Sequence, residues 1–242
     1  TTLFRSYNED SNFNSTKKAS DFMQNIFNMD NAFFRAMGRL ADLMILNLIF
    51  LLCSLPVFTI GASTTALYYV TLKMAANEEG YVVRSFLKSF RQNFRQATII
   101  WVALLFAGSV LGLDIYILNH SDNSFGAVFL VLISAITILY VMELIYIFPL
   151  LSRFENSIAV TFRNAFIMAI ADFPRTLVMM LLIVGSVFLT FWNAYTLWYG
   201  ILVWIVCGFA LIAFANSFFL NRIFKKYMPS EKTQFSSDDD TQ

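Results

Sequence analysis

Histidine occurs once in this chain, at His120, and cysteine twice, at Cys53 and Cys207. That scarcity excludes the His- and Cys-rich ligand sets that hold structural or catalytic zinc. Each cysteine lies inside an apolar run, so the pair reads as packing residues rather than as a disulfide framework. His120 has no H-E-x-x-H context, no G-x-S-x-G string occurs, and the nine glycines are scattered rather than gathered into a phosphate-cradling loop. An embedded hydrolase needs a nucleophile with a base, or a metal cluster, and neither is visible. No enzymatic activity and no cofactor are expected. Charge is scarce as well, at 14% of residues against roughly 25% in an average soluble domain. The net charge of +1 lends no bulk electrostatic support to a nucleic-acid partner.

What fills the chain instead is apolar. Hydrophobic residues make up 58%, and phenylalanine alone contributes 27. Long apolar runs near the ~20 residues that cross a bilayer cover residues 40–55, 96–118, 124–151, 176–195 and 199–220. The gaps between them alternate between basic and empty. Lys73, Arg84, Lys88, Arg91 and Arg95 fill one gap, Arg153, Arg163 and Arg175 another, and Arg222, Lys225, Lys226 and Lys232 follow the last run. The gaps around Pro56, 119–124 and 193–199 hold no lysine or arginine. Basic loops face the cytoplasm, so the pattern predicts a polytopic, all-α membrane protein.

The segment 56–76 decides the number of crossings. Pro56 and Gly61 supply turn chemistry, and the following TTALYYVTLKMAA is apolar enough to return, though short. Counting it gives six spans and puts all seventeen lysines and arginines, with both termini, on the cytoplasmic side. Omitting it gives five spans and strands Arg35 and Arg39 outside. Six is the expected count. The expected domains are a disordered tail over 1–20, one transmembrane domain over 21–228, and a disordered acidic tail over 229–242. Residues 1–20 are polar and lack the apolar core of a signal peptide. Trp192, Tyr195, Trp198 and Tyr199, with Tyr116, read as interfacial anchors at the hairpin tips.

Within 81–95, Val83, Phe86, Leu87, Phe90 and Phe94 recur at helical steps, opposite a stripe of Arg84, Lys88, Arg91 and Arg95. This predicts an amphipathic helix in the headgroup layer, its basic face meeting lipids or an acidic partner. Segments 22–39 and 154–175 look similar, and an F-R-x-x-F frame recurs at Phe90 and Phe162. Three units, each of a basic helix and a hairpin, are therefore conceivable. Among polar residues inside the runs, Glu143 is the deepest, ten residues before Arg153. That is about 15 Å along a helix axis, with Tyr140 and Tyr146 three residues to either side as expected hydrogen-bond partners. Glu143 reads as a packing residue facing a partner helix or, in the alternative, with Asp114 as a proton- or cation-coupled transport site. Asn47, Asn193 and Asn216 read as helix-binding residues, and Gly108, Ser109, Gly112, Gly185 and Ser186 as places of close helix approach.

Residues 33–74, FFRAMGRLADLMILNLIFLLCSLPVFTIGASTTALYYVTLKM, and the continuing EEGYVVRSFLKSFRQNFRQAT to Thr98 resemble the YesL family of bacterial integral membrane proteins. The pattern extends over roughly residues 20–228, and PVFTIGAS at 56–63 is its most specific string. The resemblance implies a protein of the bacterial cytoplasmic membrane, often encoded beside carbohydrate ABC importers, and it transfers no catalytic residues. A second string, MAANEEG at 74–80, resembles the E-A-A-x-x-D-G coupling loop of importer permeases, with Met74 for the leading acid and Glu79 for the aspartate. From these follows the expected function: an accessory or regulatory subunit of a carbohydrate ABC importer, partnered by permease subunits and membrane lipids. The alternative is a stand-alone transporter or channel.

Overall fold

The structure, a computed structural model, describes residues 32–78, 80–120 and 126–227. Both expected tails lie outside the described residues, as does most of segment 22–39. Every regular element among the described residues is helical, in keeping with the all-α membrane class. The chain separates into two compact units, Thr1–Leu43 and Met44–Gln242. The described part of the first unit, residues 32–43, forms the opening turns of helix α1 (Ala32–Ser54), with Arg35 and Arg39 exposed.

In the second unit, Pro56 ends α1 and a single 3-10 turn, Val57–Thr59, leads into α2 (Ile60–Ala75). The Thr59 hydroxyl holds this turn, lying 2.6 Å from the carbonyls of both Cys53 and Pro56. Then come α3 (Val82–Asn119), α4 (Gly126–Arg153) and α5 (Ile158–Ala171). After them, α6 (Phe173–Phe191) leads to α7 (Ala194–Val203), which passes through a π-helical turn, Trp204–Gly208, into α8 (Phe209–Tyr227). α3 with α4, and α6 with α7–α8, form the two expected hairpins.

Among the described residues, five helices are long and apolar enough to cross a membrane: Phe34–Ser54, Val82–Asn119, Val128–Arg153, Phe173–Phe191 and Ala194–Tyr227. The segment expected as a further crossing is different in kind. α2 has 16 residues, about 24 Å, short of a ~30 Å hydrocarbon core. Ten of its residues are buried, among them Gly61, Ala62, Ser63, Thr65 and Thr71. Small and hydroxyl-bearing side chains suit a helix that faces other helices rather than lipid, because they let backbones approach closely. At Gly61 the approach is tight: a β-carbon there would lie 2.5 Å from Trp101 Cβ and 2.7 Å from the Ala97 carbonyl oxygen. The loop from Ala76 to Tyr81 is short, so α2 packs antiparallel along residues 82–101 of α3.

Polar cross-links hold the helices together. The hydroxyls of Thr71 and Ser217 are 2.9 Å apart, and Asn221 Nδ2 donates to the Leu72 carbonyl at 2.9 Å, joining α2 to α8. Asn47 of α1 is fully buried against the π-helical turn. Its Nδ2 donates to the carbonyls of Trp204 (3.0 Å) and Ile205 (2.8 Å), and its Oδ1 accepts from Ala210 N–H at 3.0 Å. A π-turn displaces backbone groups from their usual partners, and one asparagine satisfies two carbonyls of this turn and the N–H just beyond it. Its predicted role in binding a neighbouring helix is met. Asn193 instead caps α7, trading bonds with Thr196. Asn216 lies beside the Tyr68 hydroxyl without reaching good hydrogen-bond geometry.

Candidate functional site

Each polar residue singled out in the sequence falls at a definite place. Tyr140 OH donates to the Leu104 carbonyl at 2.8 Å, fastening α4 to α3, and the same hydroxyl fills the space beside Gly108. Tyr146 OH bonds Thr176 Oγ1 at 2.7 Å, fastening α4 to α6. Neither tyrosine therefore hydrogen-bonds Glu143, contrary to the expectation from their three-residue spacing. Steps of three along a helix turn the side chains about 60° apart, and each ring reaches its own neighbouring helix instead. Gly108 is likewise packed within the chain, whereas a β-carbon at Gly112 or Gly185 would meet open space.

Glu143 is half-buried, with no hydrogen bond or ion pair among the described residues. Asp114 is also half-exposed, near the end of α3. The Tyr140–Leu104 bond sets their separation: Asp114 is ten residues beyond Leu104, about 15 Å along α3, while Glu143 is a turn past Tyr140 in the other direction. The fold does not bring the two acids into one site.

It gathers a different polar cluster, which sequence reasoning overlooked. Asp172 sits between α5 and α6 with its side chain 7% exposed. Its Oδ1 is 2.7 Å from Arg175 Nη1 and 3.5 Å from Lys226 Nζ, and Tyr227 OH donates to Oδ2 at 3.2 Å. Next to it, Thr176 Oγ1 donates to the Ala169 carbonyl at 3.0 Å while receiving Tyr146 OH. The carboxylate thus pins the α5–α6 corner to the end of α8. Phe154 against Phe224 and Gln96 Nε2 donating to the Asn156 carbonyl tie the ends of α4 and a turn of α3 into the same region. The available signal was an acid directly ahead of a helix start marked by Pro174. All three anchoring partners lie on Asp172's own corner or 54 to 55 residues away, so only the fold reveals them.

The basic stripe lies on α3, in the same continuous helix as the apolar run that follows it. Arg84, Lys88, Arg91 and Arg95 are all exposed. Neither proline nor glycine occurs in that helix before Gly108. Val82, Phe86 and Ser89 form its buried seam, while Val83, Leu87 and Phe94 remain exposed beside the stripe. The corresponding segment 154–175 breaks at Asp172 between two helices, so the two F-R-x-x-F frames sit in unlike elements. The string at 74–80 closes α2: Asn77 takes a left-handed φ of 58°. Glu78 N–H bonds the Lys73 carbonyl and Asn77 N–H the Met74 carbonyl, a Schellman turn. No group of three or more metal-ligating side chains occurs among the described residues.

A family model described as a protein of unknown function, DUF624, matches residues 43–115, from α1 through most of α3. The uncharacterized protein YesL of Bacillus subtilis (strain 168) is 27% identical over 158 residues, which is 65% of this chain and 73% of the relative. No solved structure matches. The resemblance to the YesL family read from residues 33–98 holds, and its most specific string, at 56–63, is the turn that delivers α2 onto α3.

Proposed function

We propose that this chain is a non-catalytic accessory subunit of a membrane assembly, packing through its helices against the permease subunits of a carbohydrate ABC importer. The single observation that carries the reading is how the intramembrane polar side chains are used. Asn47, Tyr140, Tyr146 and Thr71–Ser217 all fasten one helix of this chain to another. What is left facing outward is a broad apolar surface, with residues such as Phe106 and Val131 more than two-thirds exposed. Such a bundle suits a scaffold that adjoins other spans. The choice of a sugar importer is supported by the gene neighbourhood that the family resemblance implies. The proposed setting is the bacterial cytoplasmic membrane, with both termini and the basic segments on the cytoplasmic side, where the stripe on α3 meets anionic headgroups.

The test is affinity purification of the tagged, full-length protein from native membranes in mild detergent, with mass spectrometry of what accompanies it. Two importer permease subunits in fixed ratio to this chain are the expected result. Recovery of this chain alone, in a form that moves solute across liposomes, overturns the proposal in favour of a stand-alone transporter.

A further inference from the structure

Glu143 poses a problem that the rest of the structure does not solve. An ionisable group at bilayer depth is costly, and such groups normally face a bundle interior or pair with one another. Glu143 is ten residues from Arg153 along α4, with Pro149 between them, and about 15 Å away along the axis, so the helix's own terminal cation is out of reach. The hydroxyls on either side of it are engaged elsewhere, Tyr140 with Leu104 and Tyr146 with Thr176. Leu132, Ile136, Leu139 and Glu143 follow one another at steps of four, three and four, which places them on a single face of the helix. The three apolar members are 55%, 52% and 41% exposed. Two further steps along this face, Ile147 and Leu150 are buried. Glu143 therefore stands where an outward apolar stripe runs into the packed part of the bundle.

We infer that this face of α4 is a docking surface for a transmembrane helix of another membrane protein, and that the partner helix carries a basic side chain at the depth of Glu143. Charge complementarity selects the occupant. A second copy of this chain meeting the same face in a symmetric pair would set acid against acid, whereas a lysine, arginine or histidine would neutralise the carboxylate out of water. Lipid alone offers no donor at that depth. The inference deepens the accessory-subunit reading by naming the contact and the chemistry of what meets it.

The experiment places a photo-crosslinking amino acid at Leu139 in the full-length protein in native membranes, with a control at the exposed Leu181 of α6. Adducts are mapped by sequencing the crosslinked peptide. Support requires that the Leu139 adduct fall in a transmembrane segment of a different protein, within one helical turn of a lysine, arginine or histidine, with no such adduct from Leu181. Combining the probe with Glu143→Leu should leave the amount of protein in the membrane unchanged or higher, because a costly group is replaced by an apolar one of similar size. The adduct should then fall by about tenfold, the scale of one lost intramembrane polar contact. Glu143→Gln keeps hydrogen bonding without charge and should retain an intermediate yield. A Leu139 adduct between two copies of this chain, an adduct unaffected by Glu143→Leu, a partner segment without a basic residue, or no Leu139 adduct at all overturns the inference. The importer reading fails separately: an adduct to a basic span of some other membrane protein upholds this interface while removing the importer.

Discussion

At the scale of single residues, the structure turns two small features of the sequence into strong constraints. Asn47 serves two carbonyls of the π-helical turn and the Ala210 N–H just beyond it. Replacing it by leucine leaves those groups buried without partners, at a cost of about 2 kcal/mol. The expected outcome for Asn47→Leu is a clear fall in the thermal unfolding midpoint of the detergent-solubilised protein, followed by tryptophan fluorescence. An unchanged midpoint would mean that the turn finds other partners. Gly61 and Gly112 form a matched pair, since a β-carbon meets backbone 2.7 Å away at one and nothing within 4 Å at the other. Gly61→Ala should destabilise by about 1–3 kcal/mol through overpacking. Gly112→Ala should be neutral or stabilising by up to about 1 kcal/mol, as expected for an exposed helical glycine. The same unfolding measurement reads both, and equal effects would refute the close approach of α2 to α3.

Elements carry the next set of expectations. α3 has 38 residues without an internal proline, and its first glycine, Gly108, is well past the basic stripe. Helices kink sharply at such residues or at π-bulges and otherwise curve gently. Spin labels at Lys88 and Tyr116, both exposed, should lie about 42 Å apart along the axis. A distance below about 30 Å would mean that the basic segment folds away from the span, as the amphipathic pattern alone suggests. The corner between α5 and α6 is held by Asp172, whose partners are unequal. Arg175 is at 2.7 Å and Lys226 at 3.5 Å, with side chains 42% and 57% exposed. Asp172→Asn should therefore cost about 1–3 kcal/mol, because a buried acceptor loses its charge-assisted bonds. Lys226→Met should cost under about 1 kcal/mol, in the range of an exposed pair. The reverse ranking in unfolding experiments would show that the carboxylate does not organise the corner.

For the whole molecule the open quantity is parity. Six crossings place both termini on one side, and five place them on opposite sides. A membrane-impermeant maleimide applied from outside should modify a cysteine at Tyr195, which is 80% exposed, and should not modify one at Lys88. Ser89 is 1% exposed, so a thiol there would stay silent on either side and reports nothing. A cysteine at Ser20 should also be protected from outside. Its modification would show that α2 does not act as a crossing and that the chain has five.

The sequence alone determined the membrane class and the two hairpins, and it predicts a cytoplasmic side for the basic segments. Those properties follow from local composition: how long an apolar run is, and which gaps carry charge. It could not assign α2, because a helix enclosed by its neighbours is not written in lipid-facing residues. Serine, threonine and glycine at 61–65 look too polar for a span, yet they are what close packing against α3 requires. The same limit applied to the polar residues. Tyr140, Tyr146 and Glu143 share one short stretch of α4, and spacing suggested that they act together. Tertiary structure assigned each tyrosine to a different helix and left Glu143 half-buried with neither as its partner. It also assembled Asp172 with Lys226 and Tyr227 across more than fifty residues. A hydrogen bond depends on where two helices meet, and that is settled by packing across the whole bundle rather than by neighbours in the chain.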